Sequence, residues 1–258
     1  MPQDVPVQAV QTSYQILEAL MELGGAGPIE LATRVGLAES TVHDHLSTLE
    51  QLNYVTNENG QYMISTRYLE LGIRLRNTME IYEAGKGEIN RLAEETGEHS
   101  VMMIEENGLG VMLHLASGDT AVTIDPYPGI HVKLHTSAMG ECILAYLPDE
   151  RVAEIVEHYG LEAEQDEISR EMGELEDRLS AVRDEEYTVG FAGDVEGVRC
   201  VAKPILSNGT VYGSIGVCGP KNRILAENNI QDIGKEILQA ADVIQVNLAH
   251  SDAAWTNL

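Results

Sequence analysis

Short polar side chains recur at helical spacing in residues 36–52, which read GLAESTVHDHLSTLEQL. On a helical wheel Ser40, Asp44 and Ser47 share one face, opposite a face of apolar side chains. Hydroxyl, imidazole and carboxylate groups on such a face suit hydrogen bonds to base edges and phosphates, although a plain solvated face has the same pattern. The candidate contacts on this segment are Ser40, Thr41, His43, Asp44, Ser47 and Thr48.

The segments around this helix decide between the two interpretations. Apolar spacing predicts a first helix over 14–23, and PIELATRV (28–35) opens with a proline suited to a first helical turn. A third helix is predicted from Glu39 to about Asn53. Its core-facing positions are Val42, Leu46, Leu49 and Leu52. The run YVTNENGQYMI (54–64) turns at Asn59-Gly60, a strong hairpin signal. The series predicts a winged helix-turn-helix, which favours DNA contact.

The charge balance of the chain is strongly acidic. Its 258 residues include 42 Asp+Glu against 16 Lys+Arg, a formal net charge of -26. Because the acidic residues are spread along the chain, we favour adaptation to a high-salt cytoplasm over an ordinary acidic protein. Three cysteines are too few for a disulfide framework. A targeting segment and an apolar membrane-spanning run are both absent from the sequence, which predicts a soluble cytoplasmic protein.

The remainder of the chain mixes helical and hairpin patterns. A helical pattern from Arg67 to about Gly97 predicts a connecting helix, with a break suggested by Gly85 and Gly87. Hairpins are predicted over 101–117 and 200–219, and helices over 138–147, 149–159, 168–187 and 224–249. The sequence therefore predicts an α+β protein with an antiparallel sheet. The predicted domains are a winged helix-turn-helix (1–66), a linker helix (67–81) and a C-terminal domain (82–258).

Three stretches resemble the IclR-type transcriptional regulators. The N-terminal stretch PIELATRVGLAESTVHDHLSTLEQLNYV resembles that family's DNA-binding domain. LHTSAMGECILAYLP (134–148) and GFAGDVEGVRCVAKPILSNGTVYGSIGVCGP (190–220) resemble its two C-terminal signatures. The resemblance covers roughly residues 10–250. It implies a GAF-like effector-binding domain, assembly into homodimers or homotetramers, an operator in double-stranded DNA, and control of catabolic genes by a small metabolite. It implies no cofactor.

The sequence departs from the family in the predicted DNA-reading helix, where Asp44 occupies a position at which relatives usually have Arg. The Asp44 carboxylate is expected to accept from a cytosine amino group, to hold a bridging cation, or only to orient a neighbour. Arg67, Arg74 and Arg76 follow the predicted wing, where a helix can meet phosphates. Of these, Arg67 is included among the DNA contacts.

The resemblance also implies an effector cavity. The residues it places there are Ala138, Met139, Asp194, Cys200, Gly216 and Cys218. A sugar acid or other hydroxylated metabolite is preferred as the effector, because it would place its carboxylate at the helix that begins near Ala138 and its hydroxyls towards Asp194. A keto acid of a catabolic pathway is the other class considered. For the cysteines, burial as small apolar residues is the alternative. Ser137 serves equally well as a helix N-cap.

Three other functions compete with a DNA-binding regulator. A zinc site is an alternative for His131, His135, Cys142, Cys200 and Cys218, but none has the tight spacing of known zinc motifs. The sequence lacks the phosphate-binding and nucleophile motifs of common enzymes, so no catalytic residue is predicted. The main alternative is a small-molecule sensor or protein-interaction module that does not bind DNA.

Overall fold

The structure is a computed structural model that describes residues 5–123, 126–163, 165, 168, 171–193 and 195–255. The described chain forms two compact units, one ending at Arg76 and the other beginning at Asn77. The predicted effector residue Asp194 lies outside the described residues.

The first unit contains three short helices, a hairpin and a fourth helix. These are α1 (Gln8–Leu23), α2 (Pro28–Val35), α3 (Glu39–Gln51), β1 (Val55–Glu58), β2 (Gln61–Ile64) and α4 (Arg67–Arg76). This order confirms the winged helix-turn-helix predicted from the sequence. The first helix begins earlier than its apolar pattern suggests, because Gln8 to Ser13 also adopt helical conformation.

The apolar face of α3 closes the core of this unit. Val42 and Leu46 are fully buried and Leu49 is nearly so. They pack with Ile16 and Leu31 from the two preceding helices. The prediction that Leu52 belongs to this face is wrong, since this residue is 55% exposed. Leu52 is the C-cap and keeps helical backbone, but on the wheel it lies at the edge of the face centred on Val42 and Leu46.

The predicted linker helix over 67–81 is interrupted. After α4 ends at Arg76, a second helix, α5 (Glu80–Thr96), begins at Glu80. The break predicted at Gly85 and Gly87 does not occur, because α5 runs through both. A side chain at Gly85 would collide with Met102 and approach Ile244 Cδ1 to 3.0 Å. The glycine therefore permits close packing of α5, which a sequence pattern cannot distinguish from a helix break.

A six-stranded antiparallel sheet forms the centre of the second unit. Its strands are β3 (His99–Glu106), β4 (Leu109–Ser117), β5 (His131–Lys133), β6 (Thr188–Phe191), β7 (Val198–Ser207) and β8 (Thr210–Pro220). Their order in the sheet is β5-β4-β3-β8-β7-β6. The two long hairpins turn at Asn107-Gly108 and Asn208-Gly209, where both asparagines have positive φ.

Helices cover both faces of this sheet. On one face lie α5 and the long α10 (Glu227–Trp255), which pack on Met102, Val201 and Ile215. On the other face lie α6 (Ala138–Leu144), α7 (Asp149–Tyr159) and α8 (Met172–Asp184), which pack on Val101 and Cys200. A short α9 (Lys221–Ile224) precedes α10. The α+β class predicted from the sequence is confirmed.

Candidate nucleic-acid interface and effector cavity

The outward face of α3 carries the residues predicted to contact DNA. Ser40, His43, Asp44 and Thr48 are exposed, and Thr41 and Ser47 are half-buried. All six lie on one helix whose opposite face is held in the core. The unit therefore presents them together on a single rigid element, as a DNA-reading helix requires.

Several polar groups of α3 are already engaged inside the protein. The Thr48 hydroxyl donates to the Asp44 carbonyl at 2.9 Å, and the Gln51 amide donates to the Ser47 hydroxyl at 3.3 Å. The His45 ring is half-buried, and its Nδ1 lies 2.8 Å from the Ser13 hydroxyl of α1. The first two contacts lie within α3, whereas the His45 contact joins α3 to α1. Together they leave fewer side chains of α3 to meet a ligand.

The wing is the tight hairpin of β1 and β2, and it is attached to the helical core. Asn59 and Gly60 turn it with φ of 55° and 85°, values that Asn and Gly tolerate best. The Asn57 side chain accepts a 3.0 Å hydrogen bond from the Gly60 amide. Backbone hydrogen bonds between Ala26 and Tyr62, at 3.0 and 2.9 Å, join the wing to the segment before α2.

Arg67 lies exposed at the start of α4, directly after the wing. Its guanidinium is 5.5 Å from the centroid of the Tyr54 ring. Its backbone amide donates to the Ser65 hydroxyl at 3.2 Å. Arg74, on the same helix, forms an exposed ion pair with Glu70 at 3.6 Å. Arg67 is thus a positioned cation beside the wing, suited to a phosphate.

A cavity of about 450 Å³ opens in the second unit beside the start of α6. Its described lining consists of Met103, Met112, Pro126, Ile130, Val132, Ser137, Met139, Ala192, Gly193 and Val195. Only the Ser137 side chain is polar among these lining residues. The cavity therefore offers an apolar wall with one hydroxyl, the general form of a small-molecule site.

The residues predicted to bind an effector fall in different places. Met139 lines the cavity, whereas Ala138, Cys200, Gly216 and Cys218 are buried and absent from its described lining. A side chain at Gly216 would lie 2.6 Å from Cys200 Sγ and 2.8 Å from Met139 Cγ. The absence of a side chain at Gly216 therefore leaves room for the side chains of Cys200 and Met139.

The start of α6 is held by side chains from two directions. The Ser137 hydroxyl accepts from the Gly140 amide at 3.0 Å, so Ser137 is the N-cap of the helix. Ser214 donates to the Met139 carbonyl at 2.9 Å and ties α6 to β8. Glu141 points into the protein and accepts a 2.6 Å hydrogen bond from Arg178 of α8. Burial raises the pKa of the Glu141 carboxyl, and the Arg178 charge partly offsets that rise.

The alternative zinc site finds no support in the described part of the chain, where no group of three metal-ligating side chains forms. Cys200 and Cys218 face each other on β7 and β8, with their sulfurs 2.6 Å apart. Burial raises the pKa of the Cys142 and Cys200 thiols, which opposes metal binding and redox reactivity. Among the described helices none has the length and apolar character to span a membrane.

Sequence reasoning missed most of the cavity wall. Met103 and Met112 come from the hairpin of β3 and β4, and Ile130 comes from the loop before β5. The sequence predicted a hairpin over 101–117 but assigned none of its side chains to the cavity. In the pairing of β3 with β4 the register shifts between Met102 and Met103. No local pattern reveals such a shift.

The chain combines a winged helix-turn-helix, whose third helix has a polar outward face, with an antiparallel domain that holds an apolar cavity. This combination defines a DNA-binding transcriptional regulator. Residues 74–246 match the bacterial transcriptional regulator IclR C-terminal domain, and residues 9–58 match the IclR helix-turn-helix domain. The chain belongs to the IclR family of transcriptional regulators, and its relatives are regulators and not enzymes.

Individual relatives cover nearly the whole chain. The probable HTH-type transcriptional regulator ArcR of Halobacterium salinarum is 27% identical over 247 residues, 94% of each chain. The structure of Thermotoga maritima IclR superposes with a TM-score of 0.80 at 20% identity, covering 94% of this chain and 99% of that one. An IclR homologue from Microbacterium hydrocarbonoxydans, complexed with 4-hydroxybenzoate, superposes with a TM-score of 0.77 at 19% identity, covering 93% and 98%.

Proposed function

We propose that this regulator binds a specific operator through α3 and that a small acid with an apolar body, bound in the second unit, controls it. The observation that carries the first part is the outward polar face of α3 beside the wing and Arg67. Short hydroxyls and an imidazole on a rigid helix suit base edges in the major groove. Action on DNA would place the protein in the cytoplasm.

The DNA assignment is tested by replacing Ser40 and Ser47 with tyrosine. Operator DNA is first recovered by in-vitro selection from a random-sequence library at about 1 M KCl, where self-repulsion is screened. Both variants should lose specific binding in a mobility-shift assay, because a bulky ring holds the helix off the groove. Ser180→Tyr is the matched control, since Ser180 is an exposed serine on α8 of the other unit.

Unchanged affinity of the Ser40 and Ser47 variants would refute the assignment of α3. If the unmodified protein enriches no sequence, the alternative of a sensor or interaction module without DNA binding takes its place. Circular dichroism of each variant distinguishes a lost contact from a lost fold.

The cavity lining discriminates between the two effector classes predicted from the sequence. A sugar acid needs several directed polar partners, because an unpaired hydroxyl costs free energy when it is buried. Ser137 is the one polar side chain in the described lining, and Gly140 already donates to it. Its own proton can still be donated to a ligand oxygen. We therefore favour a keto acid or aromatic acid over a sugar acid.

Calorimetry on the full chain tests this preference. The probes are a keto acid (4-methyl-2-oxopentanoate), an aromatic acid (4-hydroxybenzoate) and a sugar acid (gluconate). Zinc chloride tests the alternative of a metal site. Met139→Ala should weaken binding of the preferred acid by roughly ten- to hundredfold, the effect of about 1.4–2.8 kcal/mol. Met172→Ala is the control, because Met172 does not line the cavity. If gluconate is the only probe that binds, the proposal of an effector with an apolar body is refuted. The proposal that α3 binds DNA does not depend on this result.

An exposed apolar stripe on α1 supports the proposed homodimer or homotetramer. Val10, Tyr14 and Met21 repeat at coiled-coil spacing and are 54–67% exposed, and the exposed Val7 directly precedes the helix. A second copy of this stripe would cover it through an isologous contact. Val10→Glu should lower the oligomeric mass in sedimentation equilibrium. Val246→Glu, at a similarly exposed valine of α10, should leave the mass unchanged.

A further inference from the structure

The DNA-reading helix α3 contains no lysine or arginine between Glu39 and Gln51. The commonest specific contact in the major groove is a bidentate Arg or Lys to guanine. That contact therefore cannot come from this helix. Base selection by α3 must use hydroxyls, imidazoles or carboxylates, which recognise other base edges.

The side chains of α3 divide into those with internal partners and those without. The hydroxyl of Thr48, the amide of Gln51 and the ring of His45 all have partners inside the protein. Asp44 differs, because its side chain is exposed and no described residue forms an ion pair or hydrogen bond with its carboxylate. The carboxylate therefore does not orient a neighbour within the described structure.

The position of Asp44 along α3 determines what its carboxylate can reach. Asp44 lies in the middle of α3, one turn after Ser40 and one turn before Thr48. It therefore occupies the centre of the face that would enter the groove.

From this placement we infer that Asp44 selects a cytosine in each operator half-site, by accepting a hydrogen bond from its N4 amino group. This inference rests on the proposed function, in which α3 enters the major groove. An ionised carboxylate can only accept hydrogen bonds. Guanine offers N7 and O6 and thymine offers O4, all acceptors that repel it. Adenine offers an amino group but sets the N7 acceptor beside it, so cytosine is the best match.

The acidic character of the chain agrees with this mode of recognition. A carboxylate in the groove is repelled by the phosphates, and at molar salt that repulsion is screened within about 3 Å. Attraction between basic side chains and phosphates also weakens steeply with salt. Under those conditions hydrogen bonds to bases contribute a larger share of the discrimination. A chain of net charge -26 is suited to such conditions.

In-vitro selection with the full chain and two variants tests the inference. The unmodified protein should enrich one cytosine position per half-site, with a preference of roughly five- to a hundredfold over the other bases. Asp44→Asn keeps the shape and can pair with adenine through its amide. It should move that single position from cytosine to adenine. Asp44→Ala should remove the preference there, and the remaining positions should not change in either variant.

Three outcomes would overturn the inference. In the first, both variants keep the same base preference at every position. In the second, both bind all sequences more tightly with unchanged preference, which would mean that the carboxylate only repels phosphates. In the third, both variants bind none of the four half-sites that carry A, C, G or T at that position, although circular dichroism shows that they remain folded. A failure of the proposed function gives a different result. In that case the unmodified protein enriches no DNA sequence, or the Ser40→Tyr variant binds the operator as tightly as the unmodified protein.

Discussion

Removal of the Arg178 side chain tests how the pocket helix α6 is held. Arg178 donates to the Glu141 carboxylate at 2.6 Å, and their side chains are 33% and 4% exposed. Removing one partner of a fully buried pair costs about 3–5 kcal/mol. Because Arg178 is partly solvated, we expect Arg178→Met to lower the free energy of unfolding by only about 2 kcal/mol. In a domain of this size that corresponds to roughly 4–8 °C in Tm.

The expected loss depends on pH. Burial raises the pKa of Glu141, so the folded state holds this proton more tightly than the unfolded state. The stabilisation that comes from this tighter proton binding is fully present below the pKa of Glu141 in the unfolded state. It is lost as pH rises through the pKa of Glu141 in the folded state. Without Arg178 the folded pKa moves further up. The deficit of Arg178→Met should therefore be smaller at about pH 5 than at about pH 7.5.

Urea unfolding at the two pH values measures this deficit. Glu141→Gln is the matched control, because a neutral amide still accepts the Arg178 hydrogen bond and removes the titration. The double variant should cost less than the sum of the two single ones, since the pair is coupled. An Arg178→Met protein as stable as the unmodified chain at neutral pH would refute this reasoning, as would an equal deficit at both pH values.

Three further outcomes follow from charge and packing. Thermal unfolding should shift upward from about 0.1 M to about 1 M KCl, because salt screens the repulsion of a chain with net charge -26; a flat or falling Tm would contradict this. Gly85→Val should lower the free energy of unfolding by about 1–3 kcal/mol, because a side chain there collides with its neighbours. Gly87→Ala lies in open space on the same helix and should raise the free energy of unfolding by up to about 1 kcal/mol, so equal Tm changes in the two variants would contradict the packing role of Gly85. A disulfide reagent should label Cys142, Cys200 and Cys218 only after unfolding, because all three are buried; rapid labelling of the folded protein would contradict that burial.

The sequence was sufficient for the DNA-binding unit because its signals are local. The proline at position 28, the apolar positions Val42 and Leu46, and the Asn59-Gly60 turn each act within a few residues of themselves. Such signals fix helix and hairpin positions without knowledge of the rest of the chain. The long hairpins and the α+β class followed in the same way.

The cavity beside α6 is formed by contacts between residues far apart in sequence. Its described wall combines Met103 and Met112 of one hairpin with Met139 of α6 and Val195 of a later loop. The same is true of Gly85, whose role depends on Met102 and Ile244. Periodicity reports only which side of an element is apolar. Which apolar side chains meet, and which leave a cavity between them, is set by strand register and helix packing in the folded chain.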